Sequence, residues 1–287
     1  MKIAIASGKG GTGKTFVSSN LVRSYKKQVA LLDCDVEEPN NSLFLKGDIV
    51  EQRRHAVLVP KLQSDLCDGC RVCQQVCEFN SIIVMGGKAM VFEDLCHSCG
   101  ACTLMCPQKA LYEVDHEIGT IVVRKSKNVA MVEGLLDVGK ALAVPLIRKV
   151  KSYIKQFKDI PIIIDSPPGT SCPMVWTIES SDYVILVVES TAFGFHDFKI
   201  AINTVKDVNL PFGVVINKDG LGDDRVEKYC LKNNIPILAR IPFSIEVATS
   251  YSKGDLLVEV DPVYQKIFEK LWEELINRVK SGAKDEK

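Results

Sequence analysis

The chain has 287 residues, 46% of them hydrophobic and 25% charged, a mix that supports a packed core and excludes disordered, collagen-like and mucin-like classes. Lys and Arg total 36, as do Asp and Glu, so no basic field points to nucleic acid or to an acidic membrane surface. Apolar runs such as Tyr183 to Val188 fall well short of the roughly 18 residues that cross a bilayer, and the N-terminus lacks a signal-peptide layout, so stable membrane association is not expected and a cytoplasmic location is.

In chain order, Lys2 to Ala6 reads as a short buried strand, Ser7 to Thr15 as a glycine-rich loop, Phe16 to Lys27 as a helix and Val29 to Leu32 as a second strand. Strand, loop, helix and strand in that order open a βαβ unit with a parallel sheet. Residues 63–114 differ in composition, being rich in cysteine and short loops. The apolar pattern then resumes at Pro161 to Asp165, Tyr183 to Val188, Phe212 to Ile216 and Ile235 to Ile241. The expected fold is α/β: a doubly wound, mostly parallel sheet built from residues 1–62 and 115–287, carrying a small inserted α+β domain at 63–114.

Val263 to Val279 forms an amphipathic helix with Tyr264, Ile267, Phe268, Leu271, Trp272, Leu275 and Ile276 on one face. Its polar face mixes Glu269, Glu273 and Glu274 with lysines, which favours packing on the sheet over a membrane-surface role. Ser281 to Lys287 is expected to fray.

Gly8-Lys9-Gly10-Gly11-Thr12-Gly13-Lys14-Thr15 fits the phosphate-loop pattern and lies between a strand and a helix, as that motif requires. The glycines let backbone N–H groups face phosphate oxygens, Lys14 meets the outer phosphates, and Thr15 offers its hydroxyl to Mg²⁺. A merely structural glycine turn needs no Lys-Thr pair. The carboxylate of Asp165 ends a strand, where it can hold the water shell of the metal.

The additional lysine, Lys9, gives the loop a resemblance to the deviant Walker A motif of the MinD, ParA and nitrogenase iron-protein superfamily. The resemblance implies an ATP-sandwich dimer, with a second copy or a paralogue as partner, in which Lys9 reaches the partner's nucleotide; an exposed solvent lysine is the alternative. Leu31-Leu-Asp33-Cys-Asp35 with Glu37-Glu38-Pro39-Asn40 is similar to the family's switch I, which implies that Asp35 orients the attacking water near Mg²⁺ and leaves Asp33 a structural part. Ile162 to Gly169 resembles Walker B with switch II, which implies that Gly169 senses the γ-phosphate. Val215 to Asp219 and Ile241-Pro242-Phe243 resemble the adenine pocket, which implies base contacts at Asn217 and Pro242.

Eleven cysteines are unusual for this length. Cys67-x2-Cys70-x2-Cys73-x3-Cys77 recurs as Cys96-x2-Cys99-x2-Cys102-x3-Cys106-Pro107, a pattern similar to the bacterial two-cluster ferredoxin run. In that run the fourth cysteine ligates the other cluster. Cys67, Cys70, Cys73 and Cys106 are therefore expected to hold one [4Fe–4S] cluster, and Cys96, Cys99, Cys102 and Cys77 the second. Paired zinc knuckles compete, but they want two separated cysteine pairs per ion. Glu78 stands where the pattern has proline. Cys34 and Cys230 read as small buried hydrophobes, and His97 as a residue able to shade a cluster. Cys172 lies seven residues after Asp165, the offset of a bridging-cluster cysteine in the nitrogenase iron protein, but no second cysteine matches that site.

The whole chain resembles MinD-superfamily ATPases with an inserted ferredoxin unit. The expected function is slow MgATP hydrolysis coupled to low-potential electron transfer with a redox protein as donor or acceptor. An iron–sulfur cluster carrier is the alternative, and a MinD/ParA-like positioning ATPase the third.

Overall fold

The computed structural model describes residues 1–285. The chain opens with β1 (Lys2–Ala6), α1 (Lys14–Ser24), β2 (Val29–Asp33), α2 (Asn41–Phe44) and β3 (Asp48–Leu62). The cysteine-rich stretch contains α3 (Val72–Gln75), the hairpin β4 (Ile82–Met85) and β5 (Lys88–Val91), and α4 (Ala101–Leu104). Next come β6 (Leu111–Ser126), β7 (Val129–Leu136), α5 (Ala143–Ser152), β8 (Ile162–Asp165) and α6 (Cys172–Ile178). They are followed by β9 (Tyr183–Glu189), α7 (Ala192–Asp207), β10 (Phe212–Asp219), α8 (Arg225–Lys232) and β11 (Ile237–Pro242). The last helices are α9 (Ile245–Ser252), α10 (Leu257–Val260) and α11 (Pro262–Asp285).

One sheet of nine strands runs β11-β10-β9-β1-β8-β2-β7-β6-β3. From β11 to β7 every pairing is parallel, while β7, β6 and β3 pair antiparallel. Strand alternation splits the core into two layers: Ala4, Ala6 and Leu32 face one, and Ile3, Ile5 and Leu31 face the other. Helices cover both layers, which explains why the central strands are apolar on both sides.

Helix α11 lies on α1. Phe268, Leu271, Trp272 and Leu275 are buried in the second layer, and the Trp272 indole N–H donates to the Leu21 carbonyl at 2.7 Å. The apolar stripe is thus spent on the sheet side. The tail expected to fray from Ser281 is helical to Asp285, and residues 286–287 lie outside the described residues. At the other end, the expected helix Phe16 to Lys27 begins earlier, at Lys14, and stops at Ser24, where Tyr25 turns extended.

The long antiparallel pair β3 and β6 gave no clear sequence signal. Up to His55, β3 pairs with the part of β6 that also pairs with β7; a register shift between His55 and Ala56 marks where the pair leaves the sheet. Such bulges bend a ribbon away from its plane. Beyond it, Ala56–Leu62 and Leu111–Glu117 form a two-stranded arm, closed by the Gln63 N–H on the Ala110 carbonyl at 2.8 Å. Residues 64–109 sit at its tip. The seam expected at residues 62 and 115 falls on this arm, where Leu62 faces Leu111 and Leu58 faces Asp115.

Candidate functional site

The glycine-rich loop bridges the carboxyl end of β1 and the start of α1. Gly11 and Gly13 have φ of 77° and 93°, the left-handed region that side chains resist. A Cβ on Gly13 would lie 2.1 Å from the Asn217 amide nitrogen, and one on Gly8 2.1 Å from the Asp197 carbonyl oxygen. Gly10 and Gly11 instead face open space. The N-cap Gly13 gives α1 no side-chain cap, so the first N–H groups of an 11-residue helix remain free for an anion.

Three carboxylates converge beneath the loop. Asp33 and Asp165 are register partners at the ends of β2 and β8, and both are fully buried. Asn41, at the start of α2, bridges them through its side-chain amide, at 3.0 Å to Asp33 Oδ2 and 2.7 Å to Asp165 Oδ2. Ser18 on α1 donates to the same Asp165 oxygen at 2.9 Å. Asp33 also accepts from the Asp35 backbone N–H at 3.2 Å. Burial raises the pKa of Asp33 and Asp165, with mutual repulsion adding to Asp33 and the buried Lys14 ammonium opposing the rise at Asp165. Burial likewise pushes Asp35 up to about 7 against the pull of Lys14.

Lys14, Thr15, Asp35 and Asp165 therefore share one site. Among the described residues, Asp165 Oδ1 and Thr12 Oγ1 there are buried without a protein partner. Hard oxygen donors beside a free helix N-terminus and a lysine suit a magnesium-bound polyphosphate. Gly169, with φ of 89°, donates its N–H to the Ser7 carbonyl at 3.2 Å and so joins the segment after β8 to the loop.

A cavity of about 310 Å³ opens beside the loop, lined by Gly11, Phe16, Asn217, Pro242, Phe243 and Tyr251 among others. Its size and aromatic lining suit a nucleobase. Asn217 lines it but spends its amide N–H on the Thr12 carbonyl at 2.8 Å, which fixes the loop to β10. The Pro242 carbonyl accepts from the Tyr264 hydroxyl at 3.2 Å.

Lys9 turns back onto its own chain. Its ammonium lies 2.5 Å from Glu189 Oε1, and Lys218 reaches the other Glu189 oxygen at 3.1 Å and the Gly11 carbonyl at 3.0 Å. Burial works against ionisation of Glu189, but the two ammonium groups outweigh it and hold its pKa below the usual range. Sequence reasoning missed Glu189, Asn41 and Ser18. Asn41 directly follows the quoted switch segment, whereas Ser18 and Glu189 become site residues only through the sheet.

At the tip of the arm, Cys67, Cys70, Cys73 and Cys106 line one small cavity. Cys96, Cys99 and Cys102 neighbour one another, and Cys77 lies by Cys96. Each group thus takes three thiols from one run and one from the other. Burial raises the pKa of Cys73, Cys96 and Cys102, whereas the Ser81 hydroxyl and nearby backbone N–H groups outweigh burial at Cys77 and lower it. No group of three or more His, Cys, Asp or Glu side chains among the described residues closes tightly enough for a single metal ion. His97 stacks on Phe79 with ring centres 3.7 Å apart. Cys34 and Cys230 are buried, and Cys172 is exposed at the first residue of α6.

Residues 3–258 match the family described as the CobQ/CobB/MinD/ParA nucleotide binding domain. The chain belongs to this family. An uncharacterized protein of Methanocaldococcus jannaschii is 30% identical over 94% of this chain and 96% of its own length. An iron-sulfur cluster carrier protein of Pyrococcus abyssi is 25% identical over all of this chain and 89% of its own. Among solved structures, the septum site-determining protein MinD of Pyrococcus horikoshii, complexed with Mg-ADP, superposes with a TM-score of 0.59 at 22% identity and covers 96% of this chain and 95% of its own. This family member is a nucleotide-binding protein with a MinD/ParA-type P-loop ATPase fold, and no helix among its described residues is long and apolar enough to cross a membrane.

Proposed function

We propose that this chain binds and hydrolyses MgATP as a dimer and couples that cycle to low-potential electron transfer through two [4Fe–4S] clusters. The observation that carries the reading is the sorting of eight cysteines into two groups of four, each completed by the last thiol of the other run. We divide the chain into a nucleotide-binding unit, 1–62 and 115–287, and a cluster unit, 63–114.

Free N–H groups of α1 and the Lys14 ammonium would hold the outer phosphates, and Thr15 and Asp165, whose Oδ1 has no protein partner, would hold Mg²⁺, which would supply charge stabilisation to them. Asp35 orients the attacking water, and its raised pKa leaves it within reach of a proton at neutral pH. Gly169 exchanges its bond to Ser7 for the γ-phosphate. Asn217 and Pro242 border the base. For Lys9 to reach a partner's nucleotide, it must leave Glu189; the partner is a second copy or a paralogue.

Cys67, Cys70, Cys73 and Cys106 would hold one cluster and Cys96, Cys99, Cys102 and Cys77 the other, each supplying a one-electron couple. Cys67, Cys70, Cys73 and Cys106 line one cavity, and four soft thiolate donors suit an iron–sulfur cluster. A redox protein is the electron source or acceptor.

Anaerobic preparation of Cys106→Ala and Cys77→Ala tests the assignment. Each variant should lose about half of the iron and acid-labile sulfide, and the pair should lose different EPR signals. Zinc in place of iron, or undiminished iron in both variants, contradicts it. The name of the Pyrococcus relative favours a second reading, cluster carriage. Release of iron and sulfide to an apo-ferredoxin during ATP turnover supports carriage, and retention supports electron transfer.

A further inference from the structure

The two cysteine runs begin alike but are anchored differently. Each is entered through a 3₁₀ turn, Ser64–Leu66 before Cys67 and Glu93–Leu95 before Cys96, and both leading cysteines are extended at φ of −79°. The first turn is held from inside the tip, where Lys88 Nζ donates to the carbonyls of Ser64 and Cys67, both at 2.7 Å. Asp65 on that turn is exposed.

The second turn is held from the nucleotide-binding unit. Lys140, between β7 and α5, donates to Asp94 Oδ1 at 2.7 Å and lies 2.8 Å from His116 Nε2 on the arm. His116 Nδ1 in turn lies 2.9 Å from Glu93 Oε2. These groups border a small cavity that also touches Cys96.

The segment that carries Lys140 starts at the nucleotide site. The Leu136 N–H donates to the carbonyl of Val36, the neighbour of Asp35, at 2.8 Å. A Cβ on Gly134 would lie 2.8 Å from Val36 Cγ1, so β7 and Val36 are packed without slack. The Asp137 N–H donates to Ile118 at the root of the arm at 2.9 Å, the Lys140 N–H donates to Asp137 at 3.1 Å, and Arg54 on β3 grips the Asp137 carboxylate. A shift of Asp35 and Val36 thus has a short, bonded route to the turn before Cys96, whereas Lys88 ties the turn before Cys67 only to the tip.

We propose that Lys140 is a positioning residue that links the nucleotide switch at Asp35 and Val36 to the second thiol group alone. Nucleotide state then alters the surroundings of Cys96, Cys99, Cys102 and Cys77 and leaves those of Cys67, Cys70, Cys73 and Cys106 unchanged. Its meaning for electron transfer rests on the cluster reading above. Asp94 is exposed, so its pair with Lys140 contributes direction more than stability.

Hydrogen exchange of the anaerobically purified full chain, with and without saturating MgATP, tests the link. Amides of Glu93–Gly100 should change their exchange about fivefold, and those of Ser64–Arg71 should not. Lys140→Met should abolish the difference without lowering the unfolding temperature, and Lys140→Arg should retain it. Equal responses in both segments, no response in protein that binds ATP, or a difference that survives Lys140→Met overturns the proposal. Iron and sulfide analysis of the same samples judges the cluster reading separately, whatever the exchange pattern.

Discussion

Asp35 concentrates the conflict of the nucleotide site. Burial drives its pKa from the usual 3.8 up to about 7 while Lys14 pulls it back. In the unfolded chain the group ionises near pH 4; in the nucleotide-free fold it keeps its proton to about pH 7, so the fold loses stability relative to the unfolded chain across that window. Asp35→Asn removes this penalty. Its unfolding temperature should rise above that of the wild type progressively from about pH 4 to about pH 7 and hold a constant gap beyond, as read by calorimetry without nucleotide. The same variant should bind MgATP yet hydrolyse it more slowly in single-turnover assays; unaltered turnover would move the water-orienting role elsewhere. Lys14, Thr15, Asp35 and Asp165 were legible because their motifs fix both residue type and chain position. Ser18, Asn41 and Glu189 were not, since ordinary polar residues gain meaning only when the sheet sets β2, β8 and β9 beside the loop.

At the scale of elements, β1, β2, β8, β9 and β10 were legible as short apolar runs because parallel strands bury both faces. The arm of β3 and β6 was not. Its outer half packs on no sheet neighbour, so its residues mix Lys61, Glu113, Asp115, His116 and Glu117 with apolar ones and carry no clean alternation. Helix α11 was legible from its stripe, and its function is to cover α1. Phe268 is fully buried there, edge-on to Phe16 of α1 with ring centres 6.2 Å apart. Phe268→Ala should cost about 3–5 kcal/mol in denaturant unfolding. A loss below about 1 kcal/mol would mean that α11 is not part of the cooperative core.

For the whole molecule, the cysteine-bearing tip joins the nucleotide-binding unit through the arm and the clasp at Lys140. The proposed nucleotide and cluster units draw on separate hydrophobic clusters, those around Leu32 and Ile3 and that around Ile82 and Cys102, and should lose their proposed ligands separately. Lys14→Ala should abolish nucleotide binding in calorimetric titration while the visible absorption of the proposed clusters is retained. Joint loss would mean that the two units fold as one.

The most direct test of the coupling between them is an anaerobic redox titration followed by EPR, with and without MgATP. Coupling predicts that one signal, that lost in Cys77→Ala, shifts by at least about 30 mV, about 0.7 kcal/mol for a one-electron couple, while the other stays in place. Superimposed titrations of both signals in protein that binds MgATP would contradict it.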